Sequence, residues 1–391
     1  VSMEKIVIPK QVELIMDMLS EHGYRPYIAG ECVRDLLLGR EVQDYDIITS
    51  AVPERLEVIF EPFRNKKFYP EKGVMVILYK GMAVQVATYR DSENFYTDDV
   101  IKDLARREFT MNAIAYSSES GFVDPFGGCG DVANRLPVIK PIIFEEKPSD
   151  LETGTDTMFH ALMYAGTGEY VLSDEAKTVI ENNCRIVTET EPELLKRKLS
   201  ELLLSRRIAD VMEQIPRFFF TIIPELEPML NFDQHSREQM YDLWIHTAKS
   251  VGFSTPDPIM RFALLFHGMG KPDCYAEGAK GYVTFDGYIE RSRLLADRVM
   301  DRLGFTPAEM DQVDFLIENQ DNKIGAEKDE ISAALDYYSP AELKSLLLFN
   351  MANYRAKSPA LEQKAMASKQ MSEQVFAINE RRARAVPMSL T

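Results

Sequence analysis

The apolar pattern of this 391-residue chain changes period once, and that change constrains the fold more than any other feature. Up to about residue 140, helix and strand signals interleave. "IPKQVELIMDMLSEHG" starts a helix at Pro9, sets Val12, Ile15, Met16 and Leu19 on one face and stops at Gly23. "RPYIAG" is a short apolar run, "ECVRDLLLG" a short helix and "YDIITSA" a strand-like run, while "GVMVILYKG" and "MAVQVATYR" form a hairpin across a glycine-containing turn. From Met158 onward helical spacing dominates, as in "ELLKRKLSELLLSRRIADVMEQ" and "YIERSRLLADRVMDRLG", with helix starts at Ser173 and Pro307. The length exceeds what one growing core supports. The expected architecture is therefore α+β, a small mixed head followed by a long helical remainder.

Composition narrows the function classes. The formal net charge is −17, which argues against a protein whose whole surface grips nucleic acid. Local basic stripes remain open at Lys102, Arg106 and Arg107, at Lys196, Arg197, Lys198, Arg206 and Arg207, and in "NERRARAVP"; each also reads as a solvated helix face. No run approaches the roughly 18 apolar residues of a membrane helix. "VSMEKIVIPK" has no signal-peptide pattern, so the expected location is cytoplasmic. Cys32, Cys129, Cys184 and Cys274 are far apart, against a zinc site or disulfide framework.

Asp44 and Asp46 stand two residues apart. In extended chain, residues i and i+2 share a face, so both carboxylates can converge on one Mg²⁺, a hard cation that takes oxygen ligands. Alone, the pair also fits a polar turn ahead of Ile47-Ile48. The preceding segment favours phosphate chemistry: Gly30 ends a strand, the next helix points backbone N–H groups at its start, and Arg34 can neutralise phosphate or pair with Asp35. In "DLARREFTMNAIAY", Arg106 and Arg107 suit a triphosphate and Asn112 a ribose, although the arginines can equally pair with Asp103 and Glu108.

Taken in order, "AGECVRDLLLGREVQDYDIITSAVPE", "VQVATYR", "DLARREFTMNAIAY" and "VDPFGGCGDVANRLPVI" resemble the head of the bacterial tRNA nucleotidyltransferase and poly(A) polymerase family. The resemblance covers about residues 20 to 140. It implies a polymerase-β-like nucleotidyltransferase head over 1–140, a helical neck over 141–215, a body over 216–330 and a tail over 331–391. It further implies template-independent transfer of CMP or AMP from CTP or ATP to the 3′-hydroxyl of tRNA or another RNA, with two Mg²⁺ ions activating that hydroxyl and clamping the triphosphate. By the same carry-over, Asp44 and Asp46 are the catalytic metal ligands, Gly30 and Arg34 the phosphate turn, and Arg106, Arg107 and Asn112 the nucleotide contacts.

The chain also departs from the family. Glu31 stands where a second glycine is usual, Gln85 where an acid is usual, and Glu108 replaces an aspartate. The base-reading Glu-Asp-x-x-Arg corresponds to "TGTDT", residues 153–157, in which Asp156 is the one charge. The rear half resembles a phosphohydrolase domain of the HD type: His246 and His267 are present, but Gly268 replaces the linking aspartate. The expectation there is a helical scaffold with structural histidines. Two rival readings follow: a nucleotide- or RNA-binding protein without turnover, and a metal-dependent phosphohydrolase.

Overall fold

The computed structural model describes residues 6–42, 44–91, 96–134, 137–140, 151–236, 238–278, 283–322, 324 and 327–385. The chain divides into two compact units, Val1–Ser149 with Glu169–Val179, and Asp150–Gly168 with Ile180–Thr391. The expected head–neck boundary opens onto residues 141–150, which lie outside the described residues.

The first unit begins with α1 (Lys10–Glu21), capped by Pro9, whose buried Val12, Ile15, Met16 and Leu19 are the predicted apolar face. Its sheet consists of β1 (Pro26–Ala29), β2 (Tyr45–Thr49), β3 (Lys66–Tyr69), β4 (Val74–Tyr79), β5 (Met82–Thr88), β6 (Ala115–Ser117) and β7 (Gly121–Val123). The strand order is β3-β4-β5-β2-β1-β6-β7. The β4–β5 hairpin turns through Lys80 at φ 48° and Gly81 at φ 82°, the doubly left-handed turn that matches strand twist. Among the described residues of this sheet, only β2 and β5 pair in parallel, with Asp46 opposite Gln85 and Ile48 opposite Ala87.

Short helices α2 (Glu31–Leu37), α3 (Pro53–Ile59), α4 (Val100–Ala105) and α5 (Gly128–Val132) connect the strands. Leu104 of α4 packs with Tyr27, Ala29, Ile48, Ala113 and Ala115, so α4 lies against the sheet face that carries Ile48. The loop "VDPFGG" is a brace: Asp124 accepts from the backbone N–H groups of Gly128 at 2.7 Å and Cys129 at 3.0 Å. A Cβ on Gly128 would come within 2.0 Å of the Thr110 carbonyl, and Thr110 Oγ1 donates to Asp131 at 2.5 Å. The brace therefore fixes the 3₁₀ turn Thr110–Asn112.

The chain returns to this unit after α6 (Leu151–Thr167), where β9 (Val171–Leu172) pairs in parallel with β8 (Val138–Ile139). Then α7 (Asp174–Asn183) starts behind Ser173, whose Oγ accepts from the Ala176 N–H at 3.0 Å. The second unit is helical apart from the short strands β10 (Ala276–Glu277) and β11 (Val283–Thr284). Its further helices are α8 (Pro192–Leu203), α9 (Ile208–Gln214), α10 (Pro216–Ile222), α11 (Leu243–Phe253), α12 (Pro258–Phe266), α13 (Tyr288–Arg302), α14 (Pro307–Glu318), α15 (Lys328–Ala334), α16 (Pro340–Lys357) and α17 (Glu362–Ala385). Proline opens α8, α10, α12, α14 and α16, where its missing N–H costs no intrahelical bond. Trp244 is fully buried beside Phe219 and Phe220, its indole N–H donating to the Met212 carbonyl at 3.3 Å. Among the described residues, no helix is long and apolar enough to cross a membrane.

Several basic residues proposed as stripes are held in ion pairs, Lys196 with Glu309 at 3.1 Å, Lys198 with Asp156 and Arg207 with Asp210. His246 and His267 are buried in the second unit with Nε2 atoms 3.3 Å apart. His267 Nδ1–H donates to the Leu264 carbonyl at 2.6 Å, so its Nε2 is the acceptor for the His246 N–H. Burial, with Lys271 and Lys357 nearby, drives the His246 pKa well below 6.5 and lowers His267 to about 3. Both rings are neutral when folded but take up a proton near pH 6.5 when unfolded. Their contribution is present above pH 6.5 and is lost as the pH falls from there toward 3. Urea unfolding should show stability dropping by about 1.4 kcal/mol per pH unit per histidine in that window. His267→Gln should flatten the slope, and an unchanged slope would refute this account.

Candidate active site

The site is assembled where β1 and β2 run antiparallel beside the parallel neighbour β5. Gly30 follows β1 at φ 85° and ψ −139°, a region essentially confined to glycine. Its N–H donates to the Ile114 carbonyl at 3.0 Å, and a Cβ there would lie 2.3 Å from Arg107 Nη1. Glycine is needed twice over, for the backbone angle and for the approach of a guanidinium.

Arg34, on α2, is 4% exposed and fully engaged. Its Nε donates to Asp35 at 2.8 Å and its Nη1 to Asn112 Oδ1 at 2.9 Å, with Glu31 Oε1 3.6 Å away. Of the two roles the sequence left open for Arg34, the pair with Asp35 is the one formed. Tyr170, delivered by the returning segment, places its ring 5.5 Å from the Arg34 guanidinium and 5.2 Å from that of Arg40. The Arg40 guanidinium also donates to the Tyr170 hydroxyl at 2.5 Å and pairs with Glu169 at 2.8 Å. Arg34 and Asn112 are thus brought together as a buried pair that stiffens the glycine turn.

Asp44 is exposed just ahead of β2, and Asp46 is half-buried on the strand. Gln85 Nε2 donates to Asp46 Oδ1 at 3.2 Å. Burial pushes the Asp46 carboxyl above the usual carboxylate range; Arg107 pulls it down, while Glu31 and Asp44 push it further up. Cys32 Sγ lies on the Ala29 and Asp46 carbonyls, and burial raises its thiol to about 11.

On the face shared by Asp46 and Gln85, the next residues along are Ile48 and Ala87, about 6–7 Å away by strand rise. They floor a cavity of 490 Å³ walled by Lys72, Arg90, Arg106 and Arg107. Glu71 and Asp103 are its acids, leaving four cations against two anions. Burial lowers the Arg106 pKa. Arg107 spans the assembly: it touches Gly30, stands 4.0 Å from Asp103, acts on Asp46 and lines the cavity. Its Nε is buried with no hydrogen-bond partner. An open, cationic wall with a spare donor beside it suits an anionic ligand of phosphate type.

No motif in the sequence marks Lys72, Arg90 or Tyr170 as a site residue. Arg90 closes the quoted "VQVATYR", so its place two residues past β5 was the available signal. Asp156, the one charge of "TGTDT", is in the second unit and paired with Lys198.

Residues 26–137 match the family described as the poly A polymerase head domain. The CCA-adding enzyme of Geobacillus sp. (strain WCH70) is 32% identical over 200 residues, 48% of each chain. That of Geobacillus stearothermophilus is 31% identical over 199 residues, again 48% of each. The chain thus matches about half the length of these curated relatives. The Bacillus stearothermophilus CCA-adding enzyme, solved with CTP, superposes with a TM-score of 0.58 at 20% identity, covering 95% of this chain and 83% of that one. The Thermotoga maritima CCA-adding enzyme, solved with tRNA-CCA, gives 0.59 at 17% identity, covering 94% and 83%. At these identities the structural likeness establishes the fold, a sheet-containing head and a helical remainder.

Tyr170 is the clearest test of how the turn is held. Tyr170→Ala should destabilise the first unit by about 3 kcal/mol through lost burial and stacking. Tyr170→Phe, which removes only the hydroxyl, should cost about 1 kcal/mol. Equal costs in urea unfolding would show that the ring does not brace the two arginines.

Proposed function

Because residues 26–137 match the family described as the poly A polymerase head domain, we propose that this chain is a template-independent nucleotidyltransferase that adds CMP or AMP from CTP or ATP to the 3′ end of tRNA or another RNA acceptor. The observation that carries the reading is Arg107, which joins the Gly30 turn, the Asp46 carboxylate and the cationic cavity while keeping a buried donor spare.

The roles follow from the environments. Arg106 and Arg107 bind the triphosphate, with Arg90 and Lys72 extending the cationic wall. Gly30 lets backbone and guanidinium approach each other, and Arg34 with Asn112 holds the turn at a fixed angle. Asp44 and Asp46 are the two carboxylates that would hold Mg²⁺, which typically binds one or two carboxylates plus substrate phosphates. When bound, that ion would stabilise charge on the phosphoryl oxygens. In-line attack by the acceptor hydroxyl on the α-phosphorus would release pyrophosphate, and the arginines would neutralise the charge that accumulates on it.

A second reading, a nucleotide-binding protein without turnover, is favoured by one observation. The Asp156 carboxylate is occupied by Lys198 rather than offered to a base. Incubation with Mg²⁺, each labelled nucleoside triphosphate and a tRNA lacking CCA separates the two. The expected result is incorporation that falls at least about 10³-fold in Asp44→Ala/Asp46→Ala, consistent with losing both metal ligands. Arg107→Met should weaken nucleotide binding at least about tenfold, the loss of one charge-assisted contact. Nucleotide binding without incorporation would establish the second reading, and incorporation unaffected by the aspartate variants would refute the site.

A further inference from the structure

We propose that this site holds one divalent cation with its bound nucleotide, not two, because Gln85 presents an amide donor where a second cation would need another anionic ligand. The inference rests on the nucleotidyltransferase reading above.

Register fixes the position of Gln85. The parallel pairing of β2 and β5 sets it directly opposite Asp46, so both side chains leave the same sheet face. Its Nε2 lies 3.2 Å from Asp46 Oδ1. The flipped amide would oppose two acceptor oxygens, so chemistry selects the orientation with N–H toward the carboxylate. A metal needs lone pairs. Beside Asp46, Gln85 offers hydrogens and uses one of the carboxylate's own acceptor positions.

No neighbouring group makes up the deficit. Glu31, whose charge also reaches Asp46, is drawn toward Arg34, 3.6 Å away. Cys32 is held as a neutral thiol, its Sγ against the Ala29 and Asp46 carbonyls. Arg107 adds positive charge on the Asp46 side. Among the described residues, no three His, Cys, Asp or Glu side chains converge as a metal-binding group. Two-metal centres keep dications about 3.5–4 Å apart, and their mutual repulsion must be offset by shared anionic ligands. Asp44 and Asp46 supply two negative charges, enough with triphosphate oxygens for one Mg²⁺.

The test counts cations by electron paramagnetic resonance, using Mn²⁺ and a CTP or ATP analogue with a non-cleavable α–β bridge bound to the full chain. Nucleotide occupancy is measured in parallel. The expected result is one Mn²⁺ per bound nucleotide in the unaltered protein, one in Gln85→Met and two in Gln85→Glu. Two in the unaltered protein, or one in Gln85→Glu with the analogue fully bound, would overturn the inference. Failure of the analogue to bind at all would overturn the nucleotide site itself, and the inference with it.

Discussion

The close approach of the Arg107 guanidinium to the Gly30 backbone is the contact on which the site's geometry depends. A side chain at residue 30 would occupy the space of Nη1, and the backbone angle there excludes nearly every other residue. From that contact the guanidinium reaches Asp103, the field of Asp46 and the cavity wall. A half-buried cation of this kind is favoured by compensating charge nearby. Asp103 and Asp46 supply that charge, while Nε is left without a hydrogen-bond partner.

The second unit obeys a different economy. Its cationic helix residues are largely matched inside the unit, Lys196 to Glu309 and Lys198 to Asp156, and its two histidines share a hydrogen bond rather than framing an open position. Lys271, packed over Phe285 and Tyr288, adds positive charge near the pair, which disfavours a dication there. The His-Asp pattern implied by the rear-half resemblance needs a carboxylate at residue 268. The glycine found there has Leu243 so near that a Cβ would meet it at 2.8 Å. Helix packing occupies the place of a ligand.

Much of the head was legible because its signals are local. The face of α1, the β4–β5 hairpin and the glycine turn are each set within about a dozen residues. Asp44 and Asp46 were legible as a pair for the same reason. Arg34 was not fully readable: it sits beside the glycine turn as a phosphate ligand would, yet its Nη1 is taken by Asn112, 78 residues further on. The strand β9 is two residues long and carries no period. Tyr170 therefore gave no sign that it would stack on two arginines of the opening segment. The cavity brings together Lys72, Arg90 and Arg106 from a turn, a strand end and a helix end, and only the sheet topology reveals their common wall.

The first unit is discontinuous, since Glu169–Val179 belongs to it although α6 intervenes in the chain. On a ribosome, where domains form as the chain is made, the residues that seat Tyr170 against Arg34 and Arg40 arrive after the whole of α6 has been synthesised. A nascent chain with residues up to 140 emerged would carry a sheet complete in its seven strands but with β8 lacking its partner and the Arg34 guanidinium uncovered on one face. Maturation of the Gly30 turn is thereby tied to the synthesis of the helix that begins the other unit, and the order of translation becomes part of how the turn is completed.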